Sequence, residues 1–181
     1  YEGTDTSGTL SASVSTTVTV DPDDATKGTY SVTLDPALVP NQYAIVATET
    51  DSLFNSGTSS VVSVIVDTTA PSLTITSRKT GAAGAVIPNY TTVTLVYFSF
   101  TKSDADNPVA SGIASTTCQL DGGTAAACGT SRSYSGLAEG SHTFAVTVTD
   151  FAGNTTTKTN TWVIDRTSSS PTFTAPTALQ R

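Results

Sequence analysis

Glu49 and Asp51 stand two residues apart, a spacing that puts both carboxylates on one face of a β-strand. Asn55 and Asp67 follow, and a strand returning between them would bring all four oxygen-bearing side chains to one pole of a small domain. Asp150, Asn154 and Asp165 repeat the order further along the chain. Oxygen ligands converging in this way suit Ca²⁺, a hard cation that takes carboxylate and amide oxygens, and a cation there would stiffen a junction between modules. Asp104, Asp106 and Asn107, in SDADN, form a further candidate set. The competing reading is that Asp and Asn cap turns through their own side chains. Calcium is the one cofactor expected as an option, and none is required.

The two cysteines, Cys118 and Cys128, flank Asp121-Gly122-Gly123 in CQLDGGTAAAC. Two strands joined at that turn form a hairpin whose flanking residues approach each other, so the cysteines can pair across the ladder. Two buried free thiols are the alternative; a metal site would need further ligands, and the lone His142 stands at the start of a strand. A disulfide implies an oxidising, extracellular setting.

Other chemistry is weakly marked. GAAGA (81–85) is followed by no Lys-Ser/Thr and opens no expected helix, so it is not a phosphate loop. Ser, His and Asp are all present, but nothing resembles a nucleophile elbow, and an enzyme is not expected. A net charge of −7 with 8 Lys plus Arg leaves no basic patch for nucleic acid. No run of 18 apolar residues exists to span a membrane. Asn89 and Asn154 each open an Asn-x-Thr glycosylation pattern, a frequent coincidence in a Thr-rich chain. Trp162 reads as a core residue before a sugar-binding one.

These groups must be held by strands. In HTFAVTVTD, Phe144, Val146 and Val148 alternate with Thr143, Ala145, Thr147 and Thr149, one face buried and the other solvated, as in an antiparallel sheet. In VTLVYFSF, Val93, Leu95, Tyr97 and Ser99 face one way and Thr94, Val96, Phe98 and Phe100 the other, so both faces carry apolar residues; Val96, Phe98 and Phe100 are favoured as the inward set. Strands are expected near 72–77, 92–101, 115–120, 125–128, 133–135, 143–149 and 157–164, and no window shows a helical apolar period. TDSLFNSGTSSVVSVIVD, to Asp67, and TDFAGNTTTKTNTWVID, to Asp165, are similar in order and spacing, which implies two like modules. The boundaries expected are 1–66, 67–166 and a 167–181 linker or donor strand.

Residues 113–165 resemble the bacterial immunoglobulin-like repeat with a C-x-LDGG-x-C, HTF, TD-x-AGN and W-x-ID pattern, and residues 1–67 more loosely resemble another such repeat. In the first, Leu53, Phe54 and Asn55 stand where AGN is usual. The resemblance implies an all-β chain of two immunoglobulin-like antiparallel β-sandwiches in tandem. It also implies an extracellular place in bacterial or archaeal surface proteins, adhesins or pilus-like fibres, without catalysis. Against the pattern, the first module starts one strand late, and PTFTAPTALQR (171–181) is similar to the missing strand. Pro171, Thr172, Phe173 and Thr174 are therefore expected to complete the first module of a neighbouring copy and build a filament by strand addition. The other reading is that the ends are cuts within a longer array. Partners are then copies of the chain or neighbouring immunoglobulin-like modules. The alternative function is an adhesion module that recognises carbohydrate or a host protein.

Overall fold

Alternating Val/Phe and Thr/Ser favours strands because β-branched and aromatic side chains pack well on a pleated, half-buried surface. The computed structural model describes residues 19–20, 28–29, 37–50, 53–105 and 109–172, and among these it contains strands and turns but no helix. In chain order the strands are β1 (Thr19–Val20), β2 (Gly28–Thr29), β3 (Asn41–Ile45), β4 (Thr48–Thr50), β5 (Ser56–Thr58), β6 (Val62–Val66) and β7 (Ser72–Lys79). They continue as β8 (Tyr90–Thr91), β9 (Val96–Ser103), β10 (Ile113–Leu120), β11 (Ala126–Ala127), β12 (Ser131–Tyr134), β13 (Gly140–Asp150) and β14 (Thr155–Ile164). The largest sheet runs β11-β10-β13-β14-β8, a second runs β12-β9-β7, and β1-β2, β3-β6 and β4-β5 pair by twos.

Two compact units divide the chain. One takes the residues up to Leu73 with Lys102–Thr116 and Thr147–Thr156; the other takes Thr74–Thr101, Thr117–Val146 and the residues from Thr157 on. Within the first, β3 and β6 are antiparallel from Asn41↔Val66 to Ile45↔Val62, with Tyr43 and Ala44 buried. β4 and β5 form a hairpin in register from Thr48↔Thr58 to Thr50↔Ser56.

Within the second unit the two larger sheets meet as a sandwich. Phe98 of β9 stacks on Phe144 of β13 with ring centroids 4.1 Å apart, and tilts against Trp162 of β14 at 5.3 Å. Val96, Phe98 and Phe100 are buried on β9, the set favoured as inward, and Phe144 and Val146 on β13, as the alternation predicts. Each such buried side chain contributes roughly 1.5–3 kcal/mol relative to exposure. β9 begins four residues later than the sequence suggests. Thr91 accepts the amide of Val93 on its hydroxyl, a local turn that ends β8, and β8 pairs in parallel with β14 at Val163 and Ile164.

The cystine hairpin is present. Asp121 (φ 50°) and Gly122 (φ 70°) make the left-handed turn that suits the twist of two strands, closed by Gly123 N–H donating to Leu120 O at 2.9 Å. Cys118 and Cys128 are bonded with Cα atoms 5.8 Å apart. Cys118 lies directly opposite Ala126, so the bridge runs diagonally, just past the end of β11. Asp121 also ties the hairpin to β13: its Oδ1 accepts from Thr143 N at 2.7 Å and its Oδ2 lies 2.7 Å from His142 Nδ1. His142 Nε2 faces Ala138 O at 3.0 Å. Both ring nitrogens thus face acceptors, and only the doubly protonated ring donates to both. Burial, the largest single influence, opposes that charge. The Ala138 carbonyl with the hydrogen bond and charge of Asp121 outweighs it, so the pKa lies above its ordinary 6.5.

Opening the disulfide with Cys118→Ser/Cys128→Ser should cost about 2–3 kcal/mol in urea unfolding, the loop-closure value for a ring of this size. Mass spectrometry should find no alkylatable thiol before reduction. Because the folded pKa of His142 is raised, its stabilisation is complete below the unfolded value and is lost as pH rises through the folded one. The melting temperature of His142→Gln should therefore fall furthest below that of the parent under mildly acidic conditions, with the gap closing as pH rises.

Candidate cation site

Three loops of the first unit bring carboxylates together. Asp67, Asp104 and Asp150 each offer an oxygen, and these oxygens lie within 4.8 Å of one another. Each is positioned by backbone amides. Asp67, which closes the first repeat, is buried; its Oδ1 accepts from Thr69 N at 3.0 Å and its Oδ2 from Ser111 N at 2.8 Å. Hydrogen bonding from the Ser111 side chain, then from the Thr69 and Ser111 amides, holds this carboxyl below its ordinary value against the cost of burial. Asp104 follows β9 and accepts from Gly112 N at 2.6 Å on Oδ2, while its Oδ1 is buried without a partner. Asp150 ends β13; its Oδ1 accepts from Asn154 N at 2.8 Å and its Oδ2 from Asn154 Nδ2 at 2.9 Å.

The loops are locked by a few local choices. Phe151 N–H donates to Gly112 O at 2.9 Å, and Gly112 sits at φ 87°, where a side chain would be strained and its Cβ would meet the Phe151 ring at 3.7 Å. Asn154 also donates to the carbonyl of Asp67 at 3.1 Å, so one amide fixes two of the three acidic loops. The result is an oxygen-only, acidic pole with one carboxylate oxygen left unsatisfied. That donor chemistry fits a hard divalent cation such as Ca²⁺. Such an ion would neutralise carboxylates that otherwise repel.

The cluster combines the expected candidates differently. The cluster draws one residue from each of three segments rather than repeating Glu49, Asp51, Asn55 and Asp67 as a set. Asn154 offers its NH₂ to the cluster, so it orients ligands and does not supply an oxygen through that group. Glu49 is exposed on β4, opposite Gly57, and Asn55 is exposed in the hairpin tip. Asp165 is exposed and caps a turn by accepting Thr167 N at 3.0 Å, the competing reading for such residues. Asp51, Asp106 and Asn107 lie outside the described residues, as do Phe173 and Thr174; Pro171 and Thr172 are exposed and not in a strand. The side-chain nitrogen of Asn154, a glycosylation candidate, donates to Asp67 O and Asp150 Oδ2. Asn89 is exposed just ahead of β8. No sequence signal marked Ser111 and Gly112, whose backbone amides position Asp67 and Asp104.

No family model matches the chain, and no curated protein matches it. Among solved structures it is similar to one described as "Structures of Clostridium thermocellum CbhA fibronectin(III)-like modules", at 18% identity and a TM-score of 0.41. The likeness covers 70% of this chain and 64% of that one, so the chain spans less than two thirds of that structure.

Calcium chloride should raise the melting temperature by roughly 5 °C at saturation, and EDTA should reverse it. Asp104→Asn, which keeps the shape but removes the charge, should flatten the response. A melting temperature indifferent to the chelator removes the calcium reading.

Proposed function

We propose that this chain is a non-catalytic, extracellular structural segment of a bacterial or archaeal surface protein, a subunit of a fibre or a link of an adhesin stalk. It is built from immunoglobulin-like repeats of the kind its second half resembles. The supporting observation is the β3–β6 pair. Ile45 and Val62, directly opposite each other, leave one apolar face exposed, and Ile65 is exposed on the other, in a sheet that has only two strands among the described residues. A short apolar sheet gains both burial and backbone hydrogen bonds when another strand joins it. Residues 167–181 of a neighbouring copy supply that strand, Phe173 entering the apolar face, and the contact repeats head to tail. The disulfide agrees with an oxidising setting, and a cation held by Asp67, Asp104 and Asp150 stiffens the pole at which the first repeat closes.

Electron microscopy and light scattering of the purified chain over a range of concentrations test this. Filaments or a ladder of oligomers are expected, and deletion of residues 167–181 should abolish them while leaving the circular dichroism spectrum unchanged. Unchanged assembly after the deletion rules out strand donation, and a strict monomer at every concentration favours the stalk.

A further inference from the structure

Arg78 of β7 is buried, and all five of its N–H groups are used, yet none meets a carboxylate. Nε donates to Ile87 O at 3.2 Å. Nη1 donates to Asn160 Oδ1 and to Thr161 O at 2.9 Å, and Nη2 to Ile87 O at 3.0 Å and Asn89 Oδ1 at 3.1 Å. Its guanidinium lies over the Trp162 ring at 5.8 Å, and burial alone draws its pKa down. Buried charges are ordinarily paired. Here the cation is solvated by amide and carbonyl oxygens and keeps its full charge. His142, paired with Asp121, stacks on the same indole at 5.4 Å.

Beside this group opens a pocket of about 200 Å³ lined by Asn89, Tyr90, Ser141, Thr161, Trp162 and Val163. Three of these residues, Asn89, Thr161 and Trp162, are the ones that touch Arg78. Three acceptors of the lining residues are already used: Asn89 Oδ1 and Thr161 O by Arg78, and Asn89 O by Val163 N at 2.7 Å. The lining residues also carry the Asn89 NH₂, a donor, and the hydroxyls of Ser141 and Thr161, which can donate or accept. Tyr90, 73% exposed, stands at the rim as an aromatic surface. The volume is below that of a drug-sized site and suits a single small ring.

We infer that this pocket binds a small carboxylate-bearing ligand with one hydroxylated ring, as an acidic sugar presents. The carboxylate takes the Asn89 NH₂ and the Ser141 and Thr161 hydroxyls, in the field of the buried Arg78 that has no carboxylate of its own, and the ring lies against Tyr90. In a chain of net charge −7 that otherwise repels anions, this local cation gives the preference. The inference is independent of filament assembly.

Trp162 is the single tryptophan and lines this pocket, so its indole ¹H–¹⁵N resonance is unambiguous and sensitive to an occupant. Sodium glucuronate should shift that resonance saturably, and added salt should weaken the effect. Glucose and acetate should each bind at least about tenfold more weakly, since one lacks the charge and the other the ring. Asn89→Asp supplies Arg78 with its own carboxylate; it should keep the fold, judged by the rest of the spectrum, and lose glucuronate binding by about tenfold or more. The inference is overturned by the absence of a saturable shift, by glucose or acetate matching glucuronate, or by a folded Asn89→Asp variant that binds as the parent does.

Discussion

The contact of Phe98 with Phe144 and Trp162 turns two sheets into one core. Each sheet alone exposes an apolar face, and only the meeting of β9 with β13 and β14 removes both from water. Offset and tilted ring pairs add to the area they bury. The strands concerned are remote in sequence, so the chain must close long loops before this contact rewards it. Everything else follows from that geometry: β12 and β7 flank β9, β10 and β14 flank β13, and the turns between them project from the ends.

Trp162 carries the influence of the core outward to charged groups. Arg78 and His142 both lie against its ring, and each is held by hydrogen bonds that leave few alternatives. A guanidinium tolerates such a place because its fork is rigid and its five donors can all be met by fixed oxygens. The acidic pole works the other way round. There the carboxylates are fixed first, by amides of short loops, and the charge is left to be balanced. Stability and unmet electrostatics are thus separated within the molecule, apolar contacts supplying the first and loops the second.

The inward face of β13 could be read directly, because a period-two alternation of Phe and Val with Thr suits a half-buried strand and fits no helix, whereas β9, apolar on both faces in sequence, allowed only a preference for Val96, Phe98 and Phe100. The hairpin was equally legible: Asp-Gly-Gly between short strands specifies a left-handed turn, and the flanking cysteines follow from it. β8 was not, since two residues, Tyr90 and Thr91, carry no periodicity and their parallel pairing is a tertiary outcome. Asp67, Asp104 and Asp150 were each suspect, but their grouping was not, because it depends on backbone amides of Ser111 and Gly112 that no side-chain pattern records. Arg78 gave no signal at all: a lone basic residue in a strand reads as exposed until the oxygens that receive it are seen.

The cystine also bears on how the chain withstands proteases. Residues 121–125 are exposed at the tip of a tight turn, the kind of site at which proteases nick folded domains. Cys118 and Cys128 enclose that whole stretch. A cut there leaves both halves covalently joined, with β10 still in its sheet, so the most accessible peptide bonds of the hairpin are also those whose loss the continuity of the polypeptide can bear.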